Sequence, residues 1–418
     1  MLGGDGGDGR AASLAHVTAA VTTSRIRTGG LSHRAQQRLT LALYIVAPIV
    51  VSIRRGVLEF PNDYAIFRAS FYNLLNGRDL YALHPGQALD LFKYSPSFAV
   101  LFAPFALPPF VVGLLAWNLV NALGLCLVIE RLLPWEKARI AILLVFPTMI
   151  RAAESSQSNA LVAALIVGAF VSLECGRDAR AATAIIVGAA IKIFPLAGLA
   201  LAVPYHALRR SSRFAIAVVA VAVAVFALPL LFISAHGLAA EYHSWSVLEQ
   251  QQSSWTGTSV MGLLQQWAGW PWRAWPIQIA GTALLLLPLA LRRDEWGDRG
   301  FRLRFLASLL VYMVLFNHKA ERQSYVIAMV GIAIWFVTQP RTPLRVALMA
   351  LVFTLTSLVA NMPAPLRACI GVMARNTVPV ALVWLLMQVE LLYRRRAIDP
   401  LTPPTDRHPA PRRHTVPA

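Results

Sequence analysis

"FVVGLLAWNLVNALGLCLVIERLLPWEKAR", residues 110 to 139, begins with twenty residues that carry no charge and ends with five charged ones among ten. An α-helix rises about 1.5 Å per residue, so twenty residues span a hydrocarbon core about 30 Å thick. The first part therefore reads as a membrane-crossing helix and the second as the connector that stops it.

Working outward, similar apolar runs occur at 39–58, 96–108, 138–151, 158–175, 181–205, 214–235, 275–291, 303–317, 323–338, 344–360 and 378–393. With 110–132 they make about twelve spans, and ten with a re-entrant pair is the alternative count. The predicted fold class is all-α, a polytopic integral membrane helix bundle. The composition agrees, with 57% of the 418 residues hydrophobic and 14% charged. A net charge of +18 raises the question of nucleic acid, but the basic residues lie in tails and connectors and form no aromatic-interleaved stripe, so no nucleic-acid partner is expected. Basic connectors instead collect on the cytoplasmic side of a membrane. Starting inside, alternation puts 208–213, 292–304, 339–345 and 393–396 inside, as their Arg content requires. It puts "RLLPWEKAR" (131–139) outside, against its charge, and 154–159 inside.

Residues 1–38 read as a disordered cytoplasmic tail without a removable signal, making 39–58 an uncleaved anchor. Residues 39–396 form the membrane domain, and the Pro- and Arg-rich 397–418 reads as a second disordered cytoplasmic tail. Cys126, Cys175 and Cys369 lie in or beside apolar runs without metal-ligand spacing, so no disulfide or zinc role is assigned. No metal site and no cofactor are expected. Two long segments, 59–95 and 236–274, fall on the outer side. The second holds Trp245, Trp255, Trp267, Trp270 and Trp272, aromatics suited to the interface or to stacking on sugars.

In the first outer segment, "PNDYAIFRASFYNLLNGRDLY" (61–81) places Tyr64, Phe67, Phe71, Leu74 and Leu75 on one helix face, with Arg68 and Asn73 pointing away. That predicts an amphipathic helix lying in the interface and ended by Asn76-Gly77. Asp63 at its start has two readings. One is a helix cap, since a carboxylate there satisfies free backbone N–H groups. The other is a general base taking a proton from an attacking hydroxyl. Capping hydrogen bonds lower a carboxylate's basicity, so the two roles conflict.

An Asp after the first span, "LLNGRDLY" (74–81) and "FKYSPSFAVLFAPFALPP" (92–109) together resemble the family 87 glycosyltransferases. These are polyprenyl-phosphate-mannose-dependent mannosyltransferases of GT-C type, many known only as a domain of unknown function (DUF2029). "SSQSNALVAALIVGAF" (155–170) looks like the family's Gly-Gln-x-Asn segment with Ser156 in place of the glycine, and "GAAIKIFPLAGL" (188–199) like its Lys-x-x-Pro span. "FNHKAERQSY" (316–325) corresponds to its late histidine segment, with His318 present and a second histidine missing. The resemblance covers about residues 40–340. It implies a lipid-phosphate sugar donor, an outward-facing cavity in a cell membrane, and Asp63 as the base.

The remaining candidates are polar groups in an apolar chain, where charge is costly. Lys192 is mid-span and suits a lipid phosphate, or else pairs with Glu154 or reaches for the interface. His318, Lys319 and Arg322 suit a departing phosphate, or else, with Glu321, form a solvated turn holding an ion pair. Arg78, with Lys93, is a weaker candidate of the same kind. Tyr64, Glu154, Gln157, Asn159 and Glu321 are assigned to substrate, although for Glu154, Gln157 and Asn159 interhelical hydrogen bonding is the slightly favoured reading. The expected partners are a polyprenyl-phosphate sugar, a glycolipid or glycan acceptor, and membrane lipids. The alternative function is a transporter or lipid flippase with Lys192 and Glu154 on its pathway; the absence of an internal repeat counts against it. A catalytically inactive member serving as an assembly partner ranks third.

Overall fold

The computed structural model describes residues 32–84, 86–209, 212–269, 273–359, 365 and 370–393. The two tails, most of residues 1–38 and all of 397–418, lie outside the described residues, as do Cys369, Trp270 and Trp272. The described residues contain helices and no strand, as the all-α reading requires.

The helices are α1 His33–Ile53, α2 Asn62–Leu75, α3 Pro96–Leu101, α4 Ala103–Ala106, α5 Phe110–Leu132, α6 Trp135–Glu154, α7 Asn159–Glu174, α8 Asp178–Ile191, α9 Val203–Arg209 and α10 Arg213–Phe226. There follow α11 Ala235–Gln251, α12 Val260–Ala268, α13 Ala274–Leu291, α14 Arg299–Leu315, α15 Tyr325–Thr338, α16 Pro343–Val352 and α17 Val372–Leu392. A π-helical turn, Arg54–Leu58, extends α1, another, Phe353–Leu358, extends α16, and a 3-10 stretch, Phe194–Ala202, precedes α9. By length and composition three helices among the described residues are long and apolar enough to cross a membrane: His33–Leu58, α5 and α13. Several shorter apolar helices accompany them.

The core lies around α14 and α15, which are buried along nearly their whole lengths. The outward faces are apolar instead of polar: Ile216, Val219 and Val223 along α10, and Ile279, Leu284 and Leu291 along α13, are exposed. Contiguous apolar exteriors of this kind are unfavourable in water and favourable in lipid. Apolar outside, polar at the ends, the chain is a membrane protein.

Two expectations are corrected in the first outer segment. Helix α2 does not lie on a surface. Tyr64, Phe67, Phe71 and Leu74 are buried, but so are Ala65, Ile66, Ser70 and Asn73, while Leu75 is exposed. Asn73 points inward because its amide donates to Gln87 Oε1 at 2.9 Å. Helix α2 does end at Asn76-Gly77: Gly77 has φ +63°, and Gly77 N–H and Arg78 N–H return to the carbonyls of Leu74 and Asn73.

The second correction concerns 96–108. Its prolines at 96, 104 and 108, with Pro109 just after, leave helices of six and four residues, about 15 Å in all, half of a bilayer core. These two short helices pack beneath α2, where Tyr64 Oη donates to Phe105 O at 2.7 Å. Helix α5 comes close enough that a Cβ on Gly113 would meet that same carbonyl oxygen at 2.1 Å and Tyr64 Oη at 2.2 Å.

Side-chain links between helix ends fall into two sets. In one, Arg299 reaches Leu132 O at 3.3 Å and Glu174 at 3.4 Å, Arg302 reaches Glu174 at 2.8 Å, and Arg292 reaches Leu392 O at 2.8 Å. In the other, Arg54 pairs with Glu154 at 3.0 Å, Arg151 reaches Thr356 O at 3.0 Å, Gln323 reaches Ser155 at 3.0 Å, and Gln157 reaches Asp63 at 2.7 Å. The first set ties the 131–139 connector to 292–304, and the second ties 154–159 to the first outer segment. The strict alternation over twelve runs had separated both pairs. Counting 96–108 as a crossing separates the second pair, and counting 181–205, which breaks at Lys192, as one crossing separates the first.

Candidate active site

Helix α6 ends by the same device as α2, with Ser156 N–H on Ala153 O and Gln157 N–H on Ala152 O. Here, however, the left-handed position, φ +54°, is held by Ser156 rather than a glycine. This turn fixes the backbone of Gln157. On the opposite wall α8 stops at Lys192, whose backbone is extended, and Pro195 is the second residue of the 3-10 stretch that follows.

Between these ends lie the reactive groups. Gln157 Nε2 donates to Asp63 Oδ2 at 2.7 Å and lies 3.5 Å from Glu321 Oε2. Lys192 Nζ donates to Asn159 Oδ1 at 2.8 Å and Gln157 Oε1 at 3.3 Å, and stands 5.9 Å from the centre of the Tyr94 ring. Lys192 is thus not the partner of Glu154, which pairs with Arg54. Asp63 is not a cap either. It is the second residue of α2, whose N-cap position is Pro61, and its carboxylate is used by Gln157. Burial raises the Asp63 pKa to about 6, helped by the neighbouring Glu321 and opposed by Gln157 and Lys192. A partly buried carboxylate with a pKa near neutrality is suited to general-base work.

Lys192 and Gln157 line a cavity of about 620 Å³. Its polar wall continues through Glu321, Asn317, His318 and Lys319, its aromatic wall is Tyr94, Trp245 and Trp255, and its apolar wall includes Ile193, Phe194 and Leu196. Lys319 pairs with Glu249 of α11 at 2.7 Å, and Lys93 pairs with Asp90 at 2.6 Å while lying over Trp255. Gln278 Nε2 donates to Phe316 O and faces His318 Nδ1, both at 3.2 Å. Nδ1 therefore accepts and the ring proton sits on Nε2, which is buried with no hydrogen-bond partner among the described residues. Burial and the adjacent Lys319 hold the His318 pKa below its usual value. His318 is a neutral hydrogen-bond donor, not a charge.

Of the residues expected at the site, the structure brings Asp63, Gln157, Asn159, Lys192, His318, Lys319 and Glu321 together. Four stand apart. Tyr64 is buried against Phe105, Glu154 is paired with Arg54, and Arg78 and Arg322 are exposed away from the cavity wall. Tyr94 and Gln278 were missed. Gln278 had a readable signal, an amide in an otherwise apolar run. Tyr94 had none beyond its motif.

A solved structure described as ArnT from Cupriavidus metallidurans bound to undecaprenyl phosphate is similar to this chain, with 13% identity, a TM-score of 0.45, and coverage of 86% of this chain and 76% of that one. No curated protein matches. The family model for glycosyltransferase family 87 matches residues 92–317, just over half of the chain. That segment carries Gln157, Asn159, Lys192 and α11 with Trp245, and runs to the residue before His318. The chain belongs to glycosyltransferase family 87.

Proposed function

We propose that this glycosyltransferase moves a hexose, mannose in the first instance, from a polyprenyl phosphate to an acceptor hydroxyl at the outer face of the membrane. The observation that carries the reading is the pairing, one amide apart, of a carboxylate of raised pKa with an ammonium that forms no ion pair among the described residues. Asp63 takes the acceptor proton, the acceptor oxygen bonds to the anomeric carbon, and the bond from that carbon to the lipid phosphate breaks. Lys192, Lys319 and the Nε2–H of His318 receive the phosphate charge that develops. The apolar wall at Ile193, Phe194 and Leu196 suits an isoprenoid chain. A glycan or glycolipid acceptor fits the Trp245 and Trp255 side, where sugars stack.

The outer location is supported by recounting the crossings. With 96–106 re-entrant, and with α8 and the 194–209 segment crossing separately, twelve spans remain. The connectors at 131–139, 175–180, 208–213, 292–304, 339–345 and 393–396 then all fall inside, as their basic residues require. Asp63, Gln157, Lys192 and His318 all fall outside.

The test is transfer by the purified protein in liposomes, supplied with polyprenyl phosphates bearing radiolabelled mannose, glucose or galactose, for wild type and Asp63→Asn. Mannose transfer lost in the variant supports both donor and base. Transfer of another sugar replaces mannose, and equal transfer by both proteins removes Asp63 from the chemistry.

A further inference from the structure

A carboxylate and an ammonium that share a low-dielectric site attract each other strongly and, left alone, close into an ion pair. Such a pair is poor catalytic equipment. The carboxylate loses basicity, and the ammonium is no longer available to a substrate anion. Here closure is blocked by one side chain. The Gln157 amide donates to Asp63 and accepts from Lys192, so the two charges meet opposite ends of one planar group.

Its orientation is determined. Rotating the amide by half a turn would set its oxygen against Asp63 and Glu321 and its NH2 against Lys192, so every contact would be unfavourable. Its backbone is held by the α6 ending, and Lys192 is held from the far side by Asn159, itself buried. The geometry points to Gln157 as a positioning residue, an amide spacer that keeps Asp63 free as a base and Lys192 free for a phosphate by preventing their direct pairing. This inference rests on Asp63 acting as the base. It gives Gln157 a role distinct from binding substrate.

The spacer makes two substitutions act in opposite directions. Gln157→Ala removes the obstacle, so Lys192 closes on Asp63. Gln157→Met keeps the bulk and removes the hydrogen bond, so Asp63 stays apart and loses a stabilising donor. The charged or titratable groups facing Asp63 are Glu321, Lys192 and Asp90, with Tyr94 alongside, and neither substitution alters them.

The experiment is a carboxyl titration by infrared difference spectroscopy on the full-length protein in nanodiscs, with the Asp63→Asn spectrum subtracted to isolate one group. Expected are a midpoint near the wild-type value of about 6, a fall of about one pH unit or more in Gln157→Ala, and a rise in Gln157→Met. In transfer assays the acidic limb of kcat/KM moves the same way, and kcat of Gln157→Ala falls about tenfold or more. Adding Lys192→Met to Gln157→Ala returns the midpoint to wild type or above. Midpoints that stay together, or that move in one direction in both variants, overturn the spacer. If the midpoints separate as expected but the wild type transfers no sugar from the mannosyl lipid, the spacer stands and the donor assignment falls.

Discussion

At residue scale, Asp63 combines chemistry with a cost in stability. Its pKa is raised from 3.8 to about 6 on folding, so the folded state holds the proton more tightly than the unfolded one. Stability therefore falls as pH rises through that window, and the loss is complete above about pH 6. Two pH units correspond to about 3 kcal/mol. Asp63→Asn is expected to abolish transfer while raising the thermal midpoint at pH 7.5, and the midpoint difference is expected to vanish near pH 4. Wild-type kcat/KM is expected to fall about tenfold per unit below pH 6. Ser156 shows the other cost. It holds a left-handed conformation that suits glycine, and its buried hydroxyl has no hydrogen-bond partner among the described residues. Ser156→Gly is expected to stabilise the protein by about 1 kcal/mol in chemical denaturation, with transfer retained. The family's glycine at this place was legible in the sequence as a resemblance, and the dihedral angle supplies its reason.

At the scale of elements, the periodicity located the helices well because apolar runs in a membrane protein are long and their ends are marked by Arg, Pro and Gly. What it misjudged was depth. The pattern of α2 suggested one greasy face, but Asn73 and Ser70 are buried too, because Gln87 and the Phe67 carbonyl supply their hydrogen bonds. The Phe67 carbonyl lies one turn back in α2 itself, but Gln87 comes from tertiary structure, which a helical wheel does not show. Likewise 96–108 has the hydropathy of a span, and only its prolines hint that it halts midway. The packing of α2, α3, α4 and α5 depends on Gly113. Gly113→Ala is expected to destabilise by about 3 kcal/mol or more, read as lost expression and a lowered thermal midpoint. Tyr64→Phe, which removes only the bond to Phe105 O, is expected to cost about 1 kcal/mol.

At the scale of the whole molecule, the members of the site were legible but their mutual arrangement was not. Asp63 and Gln157 are 94 positions apart, and nothing local records that one donates to the other. Their contact puts 154–159 beside 59–95, and a native cysteine reports on the topology that follows. Cys175 is exposed at the end of α7, while Cys126 is buried. The recounted crossings put Cys175 inside, and the strict alternation put it outside. In a Cys369→Ser background, a membrane-impermeant maleimide is expected to spare Cys175 in intact cells and label it in inverted vesicles. Labelling from outside would move the site to the cytoplasmic face.

The helices α7, α8, α10 and α15 have 16, 14, 14 and 14 residues. They are about 21–24 Å long, several ångströms short of a typical hydrocarbon core. Of these, α10 exposes an apolar face, so lipid must thin to cover it, at a cost that grows with acyl-chain length. Thinning of the leaflet beside the cavity would lower phosphate headgroups toward Lys192 instead of requiring them to be lifted out of the membrane. Bilayer thickness thus becomes a kinetic variable. Reconstituted into lipids of increasing chain length, the enzyme is expected to show a rising KM for its lipid donor before it loses structure.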